Sequence, residues 1–383
     1  MTPRPSLAII SFSVIASDAR VLKQVSALRH RYAVTVVGYG PKVEGVEEFI
    51  AIPDDRVYWR YNRAALILRS YRLAYWRNPA VAYARRALRG REFDVVFAND
   101  VDTVGLALDL KPAGGVHVDL HEYAPRQKEE VPRWRRFVAP FVRWMCSTFV
   151  AKASSWTTVG NGLAREYERE FGFRPDVVTN AAPYAPLTPQ PVATPIRLVH
   201  SGVCLRNRNL MALIDAVGLA RAPVSMDLYL TPNDPAHLEE LRERARAVGS
   251  VVVHDPVPYR ELVETLNAYD VGVFAGPPVN FNAEWALPNK LFDFVQARLG
   301  VVVGPSPEMA AYVESHGFGR VTAGFDAAEI ADAYDALTTA DVEAWKARSH
   351  AVAEELSAEH QVLIWQRAVD ELSARRRPGQ RAR

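Results

Sequence analysis

The fold of this chain is decided by residues 286–304, Ala286-Leu-Pro-Asn-Lys-Leu-Phe-Asp-Phe-Val-Gln-Ala-Arg-Leu-Gly-Val-Val-Val-Gly304. The pattern predicts a loop, a helix opened by residues 288–290, a tight turn at Gly300 and a short buried strand. A helix N-terminus presents unpaired N–H groups and the positive end of a dipole, so it suits a phosphate. Lys290 adds a mobile positive charge in the first turn, and Asp293 follows three residues later. This combination predicts a site for a diphosphate and for the hydroxyls of the sugar beside it.

Both halves of the chain alternate short β-branched runs with helical patterns, and 383 residues are enough for two domains. Strands are predicted at residues 7–12, 33–37, 95–98, 116–120, 155–158 and 176–179, and again at 196–201, 225–230, 250–254, 271–274 and 301–303. A helix is predicted over residues 18–29, with Asp18 as its N-cap. Five prolines between residues 183 and 195 predict a stiff linker. We therefore predict two Rossmann-like, doubly wound α/β domains that face each other across a cleft, with ligands at the C-terminal ends of the strands.

The composition is that of a soluble globular protein, with 49% hydrophobic and 23% charged residues. No apolar run approaches the roughly 20 residues that a membrane-spanning helix requires. The apolar run at residues 7–12 is too short for the core of a secretory signal. Cys146 and Cys204 lie far apart and lack a metal-binding spacing, which is typical of a reducing compartment. These features predict a cytoplasmic protein.

The segment of residues 56–91 contains ten arginines and no acidic residue, and tyrosines and tryptophans are interleaved with the arginines. Three interpretations are open. The arginines can lie along an ordinary helix pair with their stems on apolar surface. The segment can also dock on an anionic membrane surface, with its aromatic rings at the interface. Nucleic-acid binding is the third, but no recognised module accompanies the charge, and we predict no nucleic-acid partner.

Residues 288–294, Pro-Asn-Lys-Leu-Phe-Asp-Phe, resemble the Pro-Asn-Lys-Leu-x-Glu-Tyr run of the retaining glycosyltransferase family 4. Residues 305–309, Pro-Ser-Pro-Glu-Met, resemble the Pro-Glu-Met helix opening of the same family. The resemblance covers most of the chain and is strongest across residues 196–320. It implies the GT-B fold and transfer of a sugar from a nucleoside diphosphate sugar to an acceptor hydroxyl. It also implies retention of the anomeric configuration without a metal or other cofactor.

The resemblance assigns the donor site to the second domain. It implies that Arg208 and Lys290 carry the departing diphosphate as catalytic residues, with Arg206 as their partner. It implies that Asp293, which replaces the usual Glu, accepts hydrogen bonds from the ribose. The remaining implied donor contacts are Gly202, Tyr259 in the loop beside the base, Glu284, Leu287, Pro288 and Asn289.

The Glu-x7-Glu motif of the family is broken in this chain. Its first Glu corresponds to Trp285, and Glu284 lies one residue away. An epimerase or hydrolase on the same fold would need further carboxylates and histidines around the cleft, and none is evident. A non-catalytic GT-B subunit that binds a partner glycosyltransferase or a lipid therefore remains the alternative function.

The first domain carries the implied acceptor side. His121 ends a strand in Val118-Asp-Leu-His-Glu-Tyr123, and the resemblance implies that this catalytic histidine lies beside the donor sugar. Ser13, Arg20 and Glu122 are implied acceptor contacts. Residues 99–102, Asn-Asp-Val-Asp, also match an Asp-x-Asp metal motif of a different fold, but we predict that Asp102 caps the next helix and that no metal is bound.

The predicted organisation has five parts: residues 1–182 as the acceptor domain, 183–195 as the linker, 196–340 as the nucleotide-sugar domain, 341–375 as helices packing back towards the first domain, and 376–383 as a disordered basic tail. The resemblance implies the return of the last helices, with Val362, Trp365 and Val369 as their apolar stripe. The expected partners are a nucleotide-sugar donor, a glycan or lipid-linked acceptor and an anionic surface on the inner face of the membrane. These partners are typical of cell-surface polysaccharide or glycolipid synthesis.

Overall fold

The computed structural model describes residues 4–375, so the predicted tail at 376–383 lies outside the described residues. The chain forms two compact units. The first unit runs up to Thr179 and resumes at Val362, and the second unit is Asn180–Gln361. Each unit contains one parallel β-sheet flanked by helices.

Within residues 4–179, the first unit has seven strands and eight α-helices. Its strands are β1 (Ser6–Val14), β2 (Ala33–Tyr39), β3 (Glu48–Ala51), β4 (Val95–Asn99), β5 (Gly115–Leu120), β6 (Ser155–Thr158) and β7 (Asp176–Val177). Its helices are α1 (Ala19–Leu28), α2 (Arg63–Ile67), α3 (Tyr71–Trp76), α4 (Pro79–Ala87), α5 (Val101–Asp109), α6 (Pro132–Phe137), α7 (Ala139–Thr148) and α8 (Asn161–Phe171).

The strand order of the first sheet is β3-β2-β1-β4-β5-β6-β7, and all its pairs are parallel. The order reverses between β1 and β4, which is the switch point where open α/β sheets bind ligands beyond their carboxyl ends. Asp18 accepts hydrogen bonds from two backbone N–H groups at the start of α1, so the predicted N-cap is confirmed. The apolar stripe of α1 packs on β1 and β2 through Val21, Val25 and Leu28.

The second unit has six strands and eight α-helices, followed by a ninth α-helix that begins in this unit and continues into the first. Its strands are β8 (Ile196–Val203), β9 (Val224–Thr231), β10 (Val251–His254), β11 (Val271–Phe274), β12 (Gly300–Val303) and β13 (Gly319–Val321). The helices are α9 (Leu210–Leu219), α10 (Pro235–Val248), α11 (Tyr259–Leu266), α12 (Phe281–Glu284), α13 (Asn289–Gln296), α14 (Pro307–His316), α15 (Ala327–Asp335), α16 (Thr339–Val352) and α17 (Ala358–Ala374), the last of which continues into the first unit.

The second sheet repeats the topology of the first, with order β10-β9-β8-β11-β12-β13 and a switch point between β8 and β11. Successive side chains of a strand point to opposite faces. Leu198 of β8 accordingly joins the core beneath α9 and α10, whereas its neighbour Val199 joins the core beneath α13 and α14. The two faces of the sheet are thus both covered, as in other parallel sheets.

Two segments differ from the predicted organisation. Residues 183–195 lie against the second unit, where the Arg298 guanidinium donates to the Ala185 carbonyl at 2.6 Å. Helix α16 also packs within the second unit. Its buried Lys346 ammonium group lies 3.2 Å from Asp270, which precedes β11 of that unit. The return to the first unit therefore starts at Val362 rather than at residue 341. From there α17 buries the predicted residues Trp365 and Val369 in the core beside β1.

The predicted strands are all present, but β3 and β13 were missed. Both lie at sheet edges and are only three or four residues long, so they lack a long apolar run. The predicted turn at Gly300 is also shifted. Gly300 already begins β12, and the left-handed residue of the turn is Arg298, with φ of 62°.

Candidate functional site

The second unit contains a cavity of about 380 Å³ at its switch point. It lies where β8, β9 and β11 end and where α13 begins. Of the predicted donor residues, the structure brings seven to its wall: Gly202, Arg208, Tyr259, Pro288, Asn289, Lys290 and Asp293. The sequence stretch around Lys290 therefore does meet the loop after β8, as the resemblance implied.

Lys290 projects from the first turn of α13 and is held by two side chains that the sequence analysis missed. Its Nζ lies 3.2 Å from His200 Nε2 and 4.5 Å from the centre of the Phe274 ring. His200 Nδ1 lies 2.8 Å from the Val273 carbonyl oxygen, so Nδ1 carries the proton and donates. Nε2 is then free to accept from the ammonium group. The available signal was a histidine within an apolar strand, two residues before Gly202.

Within residues 4–375, the contacts of the ammonium group are an imidazole and an aromatic ring rather than a carboxylate. Burial and the positive charge of Arg208 lower the pKa of Lys290 to about 7, although Asp293 opposes the shift. Burial, together with the Lys290 charge, also lowers the pKa of His200 well below its usual range. A destabilised cation in a cavity favours an anionic ligand, because the ligand charge would restore the full charge on lysine.

Gly202 is required beside Lys290. A Cβ atom at this position would lie 2.8 Å from Lys290 Nζ, and the backbone φ of 150° disfavours other residues. The missing side chain therefore leaves the space that the ammonium group occupies.

The side chains of the two predicted arginines, Arg206 and Arg208, point in different directions. Arg208 is exposed and lines the cavity. Arg206 instead donates to both carboxylate oxygens of Glu240 on α10, at 2.9 and 2.7 Å, and does not line the cavity. Asn209 ends this turn with φ of 58°, and its Nδ2 donates to the carbonyls of Ala275 and Phe325 at 2.8 and 2.7 Å. These hydrogen bonds hold Asn209 in place and thereby fix the backbone position of the neighbouring Arg208.

Some of the remaining residues predicted to contact the donor lie at the cavity, and others do not. Asp293 is 3% exposed, and the Tyr259 hydroxyl donates to it at 3.4 Å. Leu287 is buried in the core beneath α13, and Glu284 ends the short helix α12 away from the cavity wall. The structure therefore does not bring Arg206, Leu287 or Glu284 to the cavity.

The first unit contains its own cavity, of about 410 Å³, beyond the ends of β1 and β4. Ser13 and Glu122 line it, as predicted for acceptor contacts. Arg20 does not, because its guanidinium forms two hydrogen bonds of 2.7 and 2.8 Å with the buried Asp119. Arg20 is thus a buried partner of a carboxylate rather than an exposed contact for a ligand.

His121 stands beside this cavity in a network of carboxylates. Its Nδ1 lies 3.2 Å from Asp100, and its Nε2 lies 3.2 Å from Asp119 and 3.1 Å from the Asn99 side-chain oxygen. Burial lowers the pKa of His121, but the two carboxylates outweigh it and raise the pKa above its usual value. The network therefore stabilises a positive charge on the imidazole.

Asp119 is the centre of that network and was not predicted. Its carboxylate is fully buried and also accepts from Thr157 at 2.7 Å and from Gln24 at 2.9 Å. Burial would raise the pKa of Asp119, but the charges of Arg20 and His121 and the hydrogen bonds from both side chains hold it well below its usual range. Trp365 of α17 donates to Thr157 at 3.2 Å, so the last helix helps to orient the group beneath His121.

Asp102 is not an N-cap. Asp100 occupies the cap position of α5 with φ of 60°, and Asp102 lies within the first turn, where it accepts from Tyr61 at 3.1 Å. Burial raises the pKa of Asp102 to about 6 and that of Glu122 to about 7. Two carboxyls in the cavity wall therefore titrate near neutral pH.

No helix within residues 4–375 combines the length and the apolar character needed to cross a membrane. The same residues contain no group of three or more His, Cys, Asp or Glu side chains arranged to hold a metal ion. Metal independence stays a prediction.

No protein-family model and no curated protein sequence matches this chain. Its structure is similar to that of sucrose-phosphate synthase from Thermosynechococcus elongatus, with 12% identity, a TM-score of 0.68 and coverage of 97% of this chain and 100% of that one. It is similar to Anabaena HepE in complex with UDP and glucose, with 14% identity, a TM-score of 0.67 and coverage of 97% and 100%. A trehalose 6-phosphate synthase from Burkholderia multivorans matches with 13% identity, a TM-score of 0.63 and coverage of 97% and 98%. These likenesses confirm the predicted GT-B fold.

Proposed function

Because the chain has the GT-B fold, we propose that it is a glycosyltransferase that moves a sugar from a nucleoside diphosphate sugar to an acceptor hydroxyl. One observation carries the proposal: the cavity at the switch point of the second unit presents the Lys290 ammonium group at the N-terminus of α13, in contact with His200 and the Phe274 ring. The UDP and glucose in the structure of HepE support this assignment. The proposal places the donor in this cavity.

The residues of the cavity suit the parts of such a donor. Lys290, Arg208 and the first N–H groups of α13 bind the diphosphate, since a guanidinium fork and helix amides both suit phosphate oxygens. Asp293 accepts hydrogen bonds from the ribose hydroxyls. The apolar residues Val257 and Leu262, which also line the cavity, contact the base.

The proposed chemistry is electrostatic. Negative charge develops on the diphosphate as its bond to the sugar breaks, and the cations stabilise that charge in the transition state. Lys290 changes from partly neutral to fully charged as the diphosphate binds, so its interaction strengthens with the charge it faces. These groups would replace a metal cation, and we propose a metal-independent reaction with retention of configuration.

Calorimetric titration with UDP, GDP, ADP and dTDP tests the donor assignment. We expect one nucleotide to bind to the wild type and to lose at least about tenfold in affinity in Lys290→Ala, because a hydrogen bond to a charged group contributes about 1.5–3 kcal/mol. Arg206→Ala is the matched control, since its side chain is nearby but pairs with Glu240. Equal loss in both variants would contradict the placement of the diphosphate.

We also propose that the acceptor is a glycan or a lipid-linked glycan, and that residues 56–91 contact an anionic membrane surface on the cytoplasmic side. The end of α2 and the turn after it support this: Ile67, the last residue of α2, and Leu68 are 61% and 75% exposed, next to Arg69. Exposed apolar residues flanked by arginines suit an anionic bilayer.

Vesicle flotation tests the membrane proposal. The protein should float with phosphatidylglycerol-containing vesicles and not with phosphatidylcholine alone, and the double variant Ile67→Asp, Leu68→Asp should stay in solution. Leu219→Asp is the control, because Leu219 is 58% exposed in the second unit. If the double variant still floats with the anionic vesicles, the proposed membrane contact through residues 56–91 is refuted.

The alternative is a non-catalytic subunit that keeps the fold and binds a partner glycosyltransferase or a lipid. It is favoured by Trp285 at the motif position of the first Glu and by Glu284 lying off the cavity wall. Tight nucleotide binding without transfer or hydrolysis of any donor sugar would support this alternative.

A further inference from the structure

The first-unit cavity has one aromatic wall. Tyr58, Trp59 and Tyr61 come from the segment after β3, and Trp134 comes from α6. The rings of Tyr58 and Trp59 meet edge to face at 5.2 Å, and Trp59 is 62% exposed. Aromatic faces of this kind suit the C–H face of a sugar ring, because the negative face of the ring attracts the weakly positive C–H groups.

The cavity also has polar groups: the carboxyls of Asp100, Asp102 and Glu122 line it as well. Tyr61 donates to Asp102, and Gln127 donates to Glu122, so these two carboxyls are each oriented by a neighbour. Because burial brings the pKa of two of these groups near neutral, each can donate a hydrogen bond as well as accept one. Sugar hydroxyls require both kinds of partner.

The same wall is unsuited to a phosphate group. Lys128 is the basic residue in the cavity lining, against three carboxyls. Two neighbouring arginines are engaged elsewhere, since Arg20 pairs with the buried Asp119 and Arg126 pairs with Glu129. A phosphate carries about −1.5 to −2 charge at neutral pH and would face these carboxyls.

We infer that the first-unit cavity binds an uncharged sugar ring as the acceptor and discriminates against phosphorylated sugars. This inference rests on the proposed glycosyltransferase function and specifies its acceptor. The cavity volume of about 410 Å³ lies within the usual range for small-molecule sites. The aromatic wall packs on the apolar face of the ring, and the carboxyls bind its hydroxyls.

The test compares matched pairs of probes on the full chain by saturation-transfer NMR: glucose, mannose and N-acetylglucosamine, each against its 6-phosphate. At least one uncharged sugar should bind, with its 6-phosphate weaker by at least about tenfold, because like charges brought together at a binding site are strongly unfavourable. Glu122→Gln should narrow this ratio by removing negative charge with little change of shape. Trp134→Ala should abolish the signal of the uncharged sugar, with near-UV circular dichroism as the check of folding.

Three results would overturn the inference: tighter binding of a sugar phosphate, binding that neither variant changes, or absence of binding by every uncharged sugar. Titration of the same samples with nucleotides separates this failure from failure of the proposed function. Nucleotide binding that is lost in Lys290→Ala would leave the glycosyltransferase proposal intact while the acceptor inference falls.

Discussion

Donor binding should depend on pH through a single group, Lys290. In the empty cavity its pKa is lowered to about 7 by burial and by Arg208. A bound diphosphate favours the charged form and raises that pKa towards its ordinary value. Above pH 7 the free protein has lost the proton that the complex requires, so binding must take up a proton. Affinity should therefore fall as the pH rises.

The size of the effect follows from the two pKa values. Between about pH 7 and about pH 8.5 the charged fraction of free Lys290 falls from about one half to about 3%, so the dissociation constant of UDP should rise about 16-fold. Other facing groups do not share this window. His200 has a pKa well below its usual range and stays neutral, and UDP loses its last phosphate proton near about pH 6.

Isothermal titration of the nucleotide that binds, at several pH values and in two buffers of different ionisation enthalpy, measures both the affinity and the proton uptake. Lys290→Met should bind weakly with no pH dependence. Lys290→Arg should lose the pH dependence as well, because a guanidinium stays charged throughout this range. A flat profile in the wild type, or a slope that persists in either variant, would refute the role given to Lys290.

Three further substitutions test the packing around the two sites. Gly202→Ala places a methyl group 2.8 Å from Lys290 Nζ, and should weaken nucleotide binding about 10- to 100-fold in a titration, with unchanged affinity as the contrary result. Asn209→Ala removes two hydrogen bonds at a residue with φ of 58°, and should lower the free energy of unfolding by about 1–3 kcal/mol in urea. Thr157→Val removes a donor from the buried Asp119 carboxylate and should cost about 1–3 kcal/mol by thermal unfolding; an unaltered melting temperature would count against the network.

The fold was predictable from the sequence because its signals are local. Each interior strand is a short β-branched run, and the start of α13 is marked by consecutive residues that also carry the donor chemistry. The missed edge strand β3 is four residues long and none of its residues is fully buried, so its composition differs little from that of a loop. A strand is recognised in a sequence by the apolar residues that it buries, and an edge strand buries few of them.

The site was only partly predictable because side-chain direction depends on distant residues. Arg206 and Arg208 are two residues apart and chemically identical, yet Glu240, 34 residues further on, turns Arg206 away from the cavity. Arg20 resembled an acceptor contact until Asp119, 99 residues away, proved to be its partner. His200, in contrast, lies at the site but was not predicted, because a buried histidine in a strand usually has a structural role.

The discontinuous first unit has a consequence for synthesis on the ribosome. Its sheet is complete by Val177, but Trp365, Val369 and Leu372 fill its core only after the whole second unit has been made. Domains tend to fold as they emerge, N-terminal parts first. Here the second unit can finish folding while apolar side chains of β1 and α1 still await α17. The earlier-made half of this protein is therefore the later to mature, and a nascent chain stalled before residue 362 would present an unfilled core to chaperones.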